Sequence, residues 1–247
     1  MRLEIVPLNA IPEVRRGDDL AALIRKAATG ENASIDQSVV IVVAQKIVSK
    51  AEGSVVDLRE IQPSALANSW AGKCHKDARL IELILGQSER IVRMERGVLI
   101  TETRHGFVCA NSGVDQSNIS GANAEHFATV LPDDPDASAR ALRAALGCGA
   151  VIVTDTFGRP WREGLVDVAI GLAGLDPLED LRGRTDRQGR KLGVTIVAVA
   201  DQLAAAAGIL MQKSAGIPVV LIRGFEWQPA EGLARALIRP PEQDLFR

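Results

Sequence analysis

The sequence predicts a mixed α/β fold of the α+β type, and three observations support this prediction. Residues 38–44 form a valine-rich apolar run that is typical of a buried strand. Three short β-type runs follow one another closely between residues 90 and 110, which favours an antiparallel meander. Residues 133–147 open with acidic capping residues and then repeat apolar side chains at helical spacing, so we expect a helix of about three turns.

The remaining segments are assigned in chain order from the same periodicities. We expect helices at residues 18–28, 63–70, 77–86 and 201–212, the last of them capped by Asp201. We expect further strands at residues 2–8, 53–58, 150–154, 165–172, 194–199 and 217–222, with a polar connection at 175–188. Composition marks no boundary, so the prediction is a single domain over residues 1–247, with two intimate lobes as the alternative organisation.

The composition is that of an ordinary globular protein and narrows the class of partner. Of the 247 residues, 47% are hydrophobic and 24% are charged, and the formal net charge is -2. This balance favours neither nucleic acid nor an anionic membrane as the main partner. Cys74, Cys109 and Cys148 lack metal-ligand spacing, so we interpret them as reduced core residues of a cytoplasmic protein. The charged N-terminal run predicts neither a signal peptide nor a membrane anchor.

Two segments each place an aspartate where an apolar run gives way to turn residues. They are Asn111-Ser-Gly-Val-Asp-Gln-Ser-Asn118, which contains Asp115, and Val151-Ile-Val-Thr-Asp-Thr-Phe-Gly-Arg159, which contains Asp155. On a helical turn Asp115 and Asn118 would share a face, and Asp155 would leave a strand end together with Thr156. Hard oxygen donors at the rim of a sheet suit a magnesium-bound phosphate. Either segment alone is also compatible with a capped turn, so their coexistence carries the metal-site prediction.

A lysine pair follows the valine-rich run directly. Lys46 and Lys50 are four residues apart and would share a face in either a helix or a continuing strand, which suits a polyphosphate, although two solvated lysines are the alternative. The later segment 210–218 resembles a phosphate-binding loop only superficially, because it follows a helix and lacks the Walker glycines. The histidines have no ligand spacing and no nucleophile-elbow motif occurs, so neither zinc chemistry nor covalent catalysis is predicted.

Taken in order, four segments resemble the coenzyme F420-0:L-glutamate ligase family. They are residues 42–53, 109–118, 154–159 and 200–224, which contain the lysine pair, Asp115, Asp155 and the late loop. The resemblance implies a two-lobed fold with mixed β-sheets that intertwines with a second copy as a homodimer. It also implies GTP-dependent joining of L-glutamate to the phospholactyl carboxylate of coenzyme F420-0, with a second, γ-linked glutamate added by some members. Mg²⁺ or Mn²⁺ would be the metal, and K⁺ is a further candidate cation.

The resemblance also assigns roles to residues of this chain. It places Asp115, Asp155 and Thr156 at metal-binding positions, and Asp115, Asp155 and Lys50 at catalytic positions. The nucleotide-binding positions that it implies are Ile11, Pro12, Glu13, Val14, Gln45, Lys46, Lys50, Asn118, Met211, Gln212, Lys213, Ser214, Ala215, Gly216 and Ile217. The late loop departs from the family pattern, because Gln212 stands where glycine is common and a metal-coordinating side chain of some relatives is replaced near Lys213.

The chemistry of amide formation agrees with these roles. A carboxylate is a poor electrophile, so it must first become an acyl phosphate by γ-phosphoryl transfer, with metal and lysines neutralising the developing charge. Two other classes of function stay open from the residues alone. A metal-dependent nucleotide or phosphate-ester hydrolase would use the same two aspartates without glutamate. A non-catalytic nucleotide-binding dimer would keep the pocket but lack the chemistry.

Overall fold

The computed structural model describes residues 2–117, 124–212 and 215–245 and has a mixed α/β fold with several small sheets beside a larger one. The helices are α1 (Leu20–Gly30), α2 (Gln45–Glu52), α3 (Ala65–Cys74), α4 (Ala78–Gly86), α5 (Pro135–Leu146) and α6 (Val199–Met211). The strands are β1 (Glu4–Pro7), β2 (Val40–Ala44), β3 (Val55–Asp57), β4 (Ser88–Glu95), β5 (Val98–Thr103), β6 (Val108–Ala110), β7 (Phe127–Thr129), β8 (Ala150–Arg159), β9 (Arg162–Ala173), β10 (Leu178–Asp180), β11 (Ile196–Ala198) and β12 (Val219–Arg223).

The largest sheet has five strands in the order β1-β12-β2-β8-β9. Its β2 and β8 strands are parallel, whereas the other neighbouring pairs are antiparallel. β2, β12 and the first half of β8 are continuous apolar runs, and nearly all of their side chains are buried. Continuous apolar runs are typical of strands that are covered on both faces, which is why the sequence predicted them well.

Helices cover both faces of this sheet. On one face, a Cβ added to Gly171 of β9 would lie 2.4 Å from the carbonyl oxygen of Pro135 in α5. On the other face, Gly208 of α6 lies against Asp167 of β9. A bulge in β9 separates these contacts, because Val153 pairs with Gly171 while the next residue of β8, Thr154, pairs with Ala169. Such an extra residue reverses which side chains face each helix.

A smaller hydrophobic cluster lies apart from the main core. Its buried members come mainly from α4 and the strands and turns beside it: Leu58, Ala67, Ile81, Leu83, Ile84, Leu99, Val114, Ala128 and Val130. The predicted antiparallel meander is confirmed as the sheet β4-β5-β6. It leads directly into the segment that contains Asp115.

The structure corrects three local predictions. β8 does not end at Thr154 but continues to Arg159, so Asp155 lies inside a strand and not at its end. Asp201 does not cap α6, which begins at Val199; its carboxylate instead accepts a hydrogen bond from the backbone N–H of Ala169, at 2.9 Å. The polar connection at 175–188 contains β10, which pairs with β11. Each correction arises from a contact between elements, which the periodicity of a single segment does not record: β8 with β9, Asp201 with Ala169 of β9, and β10 with β11.

Other predictions are confirmed. The helix α5 has 12 residues, is capped by the Asp134 carboxylate, and is followed by Gly147, whose φ is 69°. Cys109 and Cys148 are buried free thiols, as expected for core cysteines, while the side chain of Cys74 lies outside the described part of the structure. In the ranges 2–117, 124–212 and 215–245, no helix is both long and apolar enough to cross a membrane.

Candidate active site

Four segments converge at one end of the five-stranded sheet because of the strand directions. β1 and β2 run toward this end and β12 starts from it, as the pairs Pro7–Val220 and Val219–Val43 show. β8 passes the same end, where Thr154 pairs with Ala44. The converging segments are residues 11–14, 45–50 and 155–156, together with the described residues 211–212 and 215–217 of the late loop. Ligand sites of α/β proteins form where strand ends and their following loops meet in this way.

The lysine pair lies on α2, which starts directly after β2. Lys46 Nζ lies 2.7 Å from Asp115 Oδ2 and donates to Ser117 Oγ at 2.9 Å. Lys50 is 7% exposed, and its Nζ lies 2.5 Å from Glu13 Oε1. The structure therefore excludes the alternative of two solvated lysines. Because Glu13 belongs to the segment 11–14, this ion pair also ties the first loop to α2.

Gln45, the first residue of α2, is buried, and its side-chain oxygen accepts a hydrogen bond from Ser49 Oγ at 2.8 Å. In the first loop Val14 is buried, Ile11 packs against the main core, and Pro12 is exposed. Among the predicted nucleotide-binding positions of these two segments, Val14 and Gln45 are therefore part of the buried interior, whereas Pro12 lies at the surface of this end of the sheet.

Asp115 does not lie on a helical turn, contrary to the sequence prediction. It forms an isolated β-bridge with Thr129, with backbone hydrogen bonds in both directions at 3.0 and 2.8 Å. Its carboxylate accepts from the backbone N–H and the hydroxyl of Ser117, at 2.7 and 2.8 Å. Burial by itself would raise the pKa of Asp115, but hydrogen bonds from Lys46 and Ser117 outweigh burial and hold the pKa below its usual value.

Asp155 is the second carboxylate at this end of the sheet. Burial, the largest effect, raises the pKa of Asp155 to about 6, and repulsion from Asp115 acts in the same direction. The backbone N–H of Thr156, the charge of Lys46 and a hydrogen bond with Gln45 only partly offset these effects. Burial, with a contribution from Asp155, also raises the pKa of the neighbouring Cys109 thiol to about 12, so this thiol stays protonated.

Thr156 lies on the opposite face of β8 from Asp155, because adjacent residues of a strand point to opposite sides of the sheet. Its hydroxyl donates a hydrogen bond to Asp167 Oδ1 of the paired strand β9, at 2.6 Å. The sequence analysis missed Asp167. A polar residue inside the run Val166-Asp-Val-Ala169 is a usable signal, but its partner becomes evident only after the strands are paired.

The late loop joins α6 to β12 at the same end of the sheet. Met211 is the last residue of α6, and Gln212 donates from Nε2 to the carbonyl of Ile209, at 3.3 Å. Ala215 donates its N–H to the carbonyl of Gln212 at 2.9 Å, and Gly216 has a φ of 66°. Ile217 packs against the main core. Three predicted positions, Asn118, Lys213 and Ser214, lie outside the described residues.

The carboxylates fit a hard divalent cation. Asp115 and Asp155 supply carboxylate oxygens, which Mg²⁺ and Mn²⁺ prefer, and a cation held by both would relieve their mutual repulsion. Among the residues that the structure describes, no three His, Cys, Asp or Glu side chains converge on one point. Water and phosphate oxygens would therefore complete the coordination, as is usual for a magnesium-bound nucleotide.

Comparison with known proteins shows the family of this chain. The chain matches the F420-0:gamma-glutamyl ligase family over residues 9–224. It belongs to this family. A coenzyme F420:L-glutamate ligase of Methanothermobacter thermautotrophicus is 46% identical to this chain, and the alignment covers 100% of both proteins. Proteins of the same name from Methanopyrus kandleri and Archaeoglobus fulgidus are 47% and 37% identical, covering 100% of this chain and 98% and 97% of theirs.

Membership of the F420-0:gamma-glutamyl ligase family confirms the resemblance that the four sequence segments suggested, and with it the enzyme class, a ligase. The matched range 9–224 includes all four segments of the sheet end, from the first loop to the start of β12. It also includes Asp167, which the sequence analysis did not identify.

Proposed function

We propose that this member of the F420-0:gamma-glutamyl ligase family joins L-glutamate to the phospholactyl carboxylate of coenzyme F420-0, using GTP and either Mg²⁺ or Mn²⁺. The cluster of Lys46, Asp115 and Asp155 carries this proposal, because it combines an ammonium group and two carboxylates where the four loop segments meet. The three relatives described above, aligned over the full chain, share the name coenzyme F420:L-glutamate ligase, which supports the acceptor and the amino acid.

The acceptor carboxylate must be activated before the amine of glutamate can attack it. Transfer of the γ-phosphoryl group of GTP to this carboxylate forms an acyl phosphate and GDP, and attack by the amine then releases phosphate. A divalent cation held by Asp115 and Asp155 would neutralise part of the negative charge on the phosphate groups. No protein nucleophile takes part in this route.

Residues of the chain itself would position the nucleotide. Lys46 and Lys50 lie on one face of α2 and are held in place by Asp115 and Glu13. The helix starts after Ala44, whose side chain has no group that could cap it, so the N–H groups of its first turn are available to phosphate oxygens. The two lysines and the first turn of α2 together would form an electropositive binding surface for phosphate beside the carboxylates.

Phosphate release from GTP tests this proposal. We expect release that requires L-glutamate, coenzyme F420-0 and Mg²⁺ or Mn²⁺ together, with a product mass gain of one glutamate or two; parallel reactions with and without K⁺ test the further cation. Asp155→Asn should abolish release, whereas Asp133→Asn, which changes a carboxylate that is 89% exposed, should not. Release without glutamate and acceptor would instead support a hydrolase, and nucleotide binding without any turnover would support a non-catalytic binding protein.

We also propose that the protein is a homodimer. Beyond the buried half of the central sheet, β8 and β9 continue as a hairpin on which Trp161 is 78% exposed and Leu165 is 60% exposed. Exposed large apolar side chains on a projecting hairpin are typical of an interface. Sedimentation should give twice the chain mass of 26.4 kDa, and a species of the single-chain mass at micromolar concentration would contradict the proposal.

A further inference from the structure

Asp167 connects three parts of the candidate site through its two carboxylate oxygens. Its Oδ1 atom accepts the hydrogen bond from Thr156 Oγ1, at 2.6 Å. Its Oδ2 atom fills the space beside Gly208 of α6, where an added Cβ would lie only 2.0 Å away. Gly208 precedes Met211, the last residue of α6, by three positions, and the late loop follows.

Glycine is an unfavourable choice inside a helix, and this contact explains it. Glycine in a helix interior is about 0.8–1 kcal/mol less favourable than alanine. At position 208 any larger residue would displace the Asp167 carboxylate from α6. The pair of Asp167 and Gly208 therefore sets the distance between β9 and the end of α6 that leads into the late loop.

The hydrogen bond also determines what the Thr156 hydroxyl is able to bind. A threonine hydroxyl has one proton to donate and two lone pairs to offer. Because the proton is directed to Asp167, the oxygen presents lone pairs to any further ligand. An oxygen in this state suits a cation, whereas a phosphate oxygen needs a donor.

We propose that Asp167 is a positioning residue, which orients the Thr156 hydroxyl toward a divalent cation and holds the end of α6 beside it. The inference rests on the proposed function, which needs a divalent cation with the nucleotide. Because Thr156 faces away from Asp155, its hydroxyl would bind such a cation on the α6 side of β8, apart from one held by Asp115 and Asp155. Asp167 acts through Thr156 and Gly208 and does not itself contact substrate. Residues that orient metal ligands in this way typically change metal affinity by about 10- to 100-fold when they are replaced.

Binding of Mn²⁺ in the presence of GTP, followed by the electron paramagnetic resonance signal of free Mn²⁺, tests the inference. Asp167→Asn keeps the size of the side chain but removes its charge, and we expect the Mn²⁺ dissociation constant to rise at least 10-fold. Thr156→Val should weaken binding similarly, and the double variant should bind no more weakly than Thr156→Val alone. Gly208→Ala, which displaces the carboxylate without changing it, should also weaken binding.

Asp201→Asn is the matched control, because Asp201 is a carboxylate at the same interface of α6 and β9 that accepts from the Ala169 N–H. It should leave the Mn²⁺ dissociation constant within twofold. Unchanged Mn²⁺ affinity in a folded Asp167→Asn variant would overturn the inference, as would losses that multiply in the double variant. If Asp167→Asn does not fold, unchanged Mn²⁺ affinity in Gly208→Ala would overturn the inference instead. Absence of Mn²⁺ binding by the unmodified protein would overturn the proposed function, and this inference with it.

Discussion

Asp155 shows how burial changes the behaviour of a single residue. It lies inside β8, beside Asp115 and the protonated thiol of Cys109. Burial and repulsion raise its pKa from 3.8 to about 6. Removing solvent from a carboxylate without a full set of partners destabilises the charged form. The folded protein without cation therefore carries a charge at neutral pH that weakens its own stability.

Replacing Asp155 with asparagine should stabilise the cation-free protein above pH 6. Below pH 3.8 the carboxyl is protonated in both the folded and the unfolded chain. As pH rises from 3.8 to about 6, the unfolded chain releases its proton first, so the unmodified protein loses stability across this window. The free energy of unfolding of the unmodified protein should fall by about 2–3 kcal/mol across this window. Asp155→Asn should not show this decrease, because asparagine does not ionise.

Urea unfolding in a chelating buffer at pH 4, 5, 6 and 8 measures this difference. The free energy of unfolding of the variant relative to the unmodified protein should increase up to pH 6 and then stay constant. A difference that does not vary between pH 4 and pH 6 would contradict the raised pKa. Asp133→Asn controls for general effects of losing a surface charge.

At the scale of elements, a turn between β6 and the Asp115 bridge holds the first carboxylate in place. Asn111 and Ser112 have φ values of 55° and 52°, in the left-handed region that non-glycine residues rarely adopt. The Ser112 hydroxyl lies 2.6 Å from both the Ser88 and the Thr101 hydroxyls, and Ser112 and Thr101 are almost fully buried. This buried hydroxyl group stabilises a strained turn three residues before Asp115.

Ser112→Ala should lower the free energy of unfolding by about 1–3 kcal/mol, because it leaves the buried Thr101 hydroxyl without this partner. Ser112→Gly removes the same hydroxyl but suits a left-handed backbone, so it should cost about 1 kcal/mol less than the alanine variant. Chemical unfolding of both variants measures the two effects separately. Equal losses would show that the left-handed backbone at Ser112 is not strained.

Two glycines, one inside a helix and one directly after a helix, should respond in opposite ways to replacement by alanine. Gly72 lies inside α3 and Gly147 follows α5 with a φ of 69°; an added Cβ would meet nothing within 4 Å at either position. Gly72→Ala should therefore stabilise the protein by about 0.5–1 kcal/mol through helix propensity. Gly147→Ala should destabilise it by about 1 kcal/mol, because alanine is strained in that conformation. Urea unfolding should show opposite signs; two changes of the same sign would contradict this account.

At the scale of the whole molecule, the central sheet brings together segments that are far apart in sequence. Its strand order places residues 11–14, 45–50, 155–156, 211–212 and 215–217 at one end. The Asp115 segment comes from the meander side of the protein and reaches this end through its ion pair with Lys46. A ligand bound there would contact both parts of the molecule.

Nucleotide and cation together should therefore stabilise the whole protein. A ligand that binds only the folded state adds about 2.7 kcal/mol to the free energy of unfolding at 100 times its dissociation constant. Thermal unfolding with GTP and Mg²⁺ should show this increase for the unmodified protein and for Asp133→Asn, but a much smaller one for Asp155→Asn. An equal increase in Asp155→Asn would contradict the role of this carboxylate.

Much of the fold could be predicted from the sequence because its signals are local. The valine-rich β2, the meander β4-β5-β6, and the helix α5 between Asp134 and Gly147 all carry their own periodicity and capping residues. Asp115, Asp155, Lys46 and Lys50 were identified as candidate site residues by their positions beside apolar runs and by their spacing, and the ordered motifs of the family then implied their roles. The motifs give residue types in sequence order, so they predict candidate site residues but not how these residues are arranged.

The sequence by itself determined the fold class, the ligase family and the candidate charged residues of the site. Hydrophobic periodicity, capping residues and ordered motifs are local features of the chain, so they can be recognised without the structure. Only the tertiary structure decided that Asp155 lies inside a strand, that Asp115 forms a bridge with Thr129, and that Asp201 contacts β9. Only the structure shows that Thr156 donates a hydrogen bond to Asp167 and that the Asp167 carboxylate packs against Gly208. The physical reason is that strand register and helix packing bring together residues distant in the chain, and burial then sets their pKa values and partners.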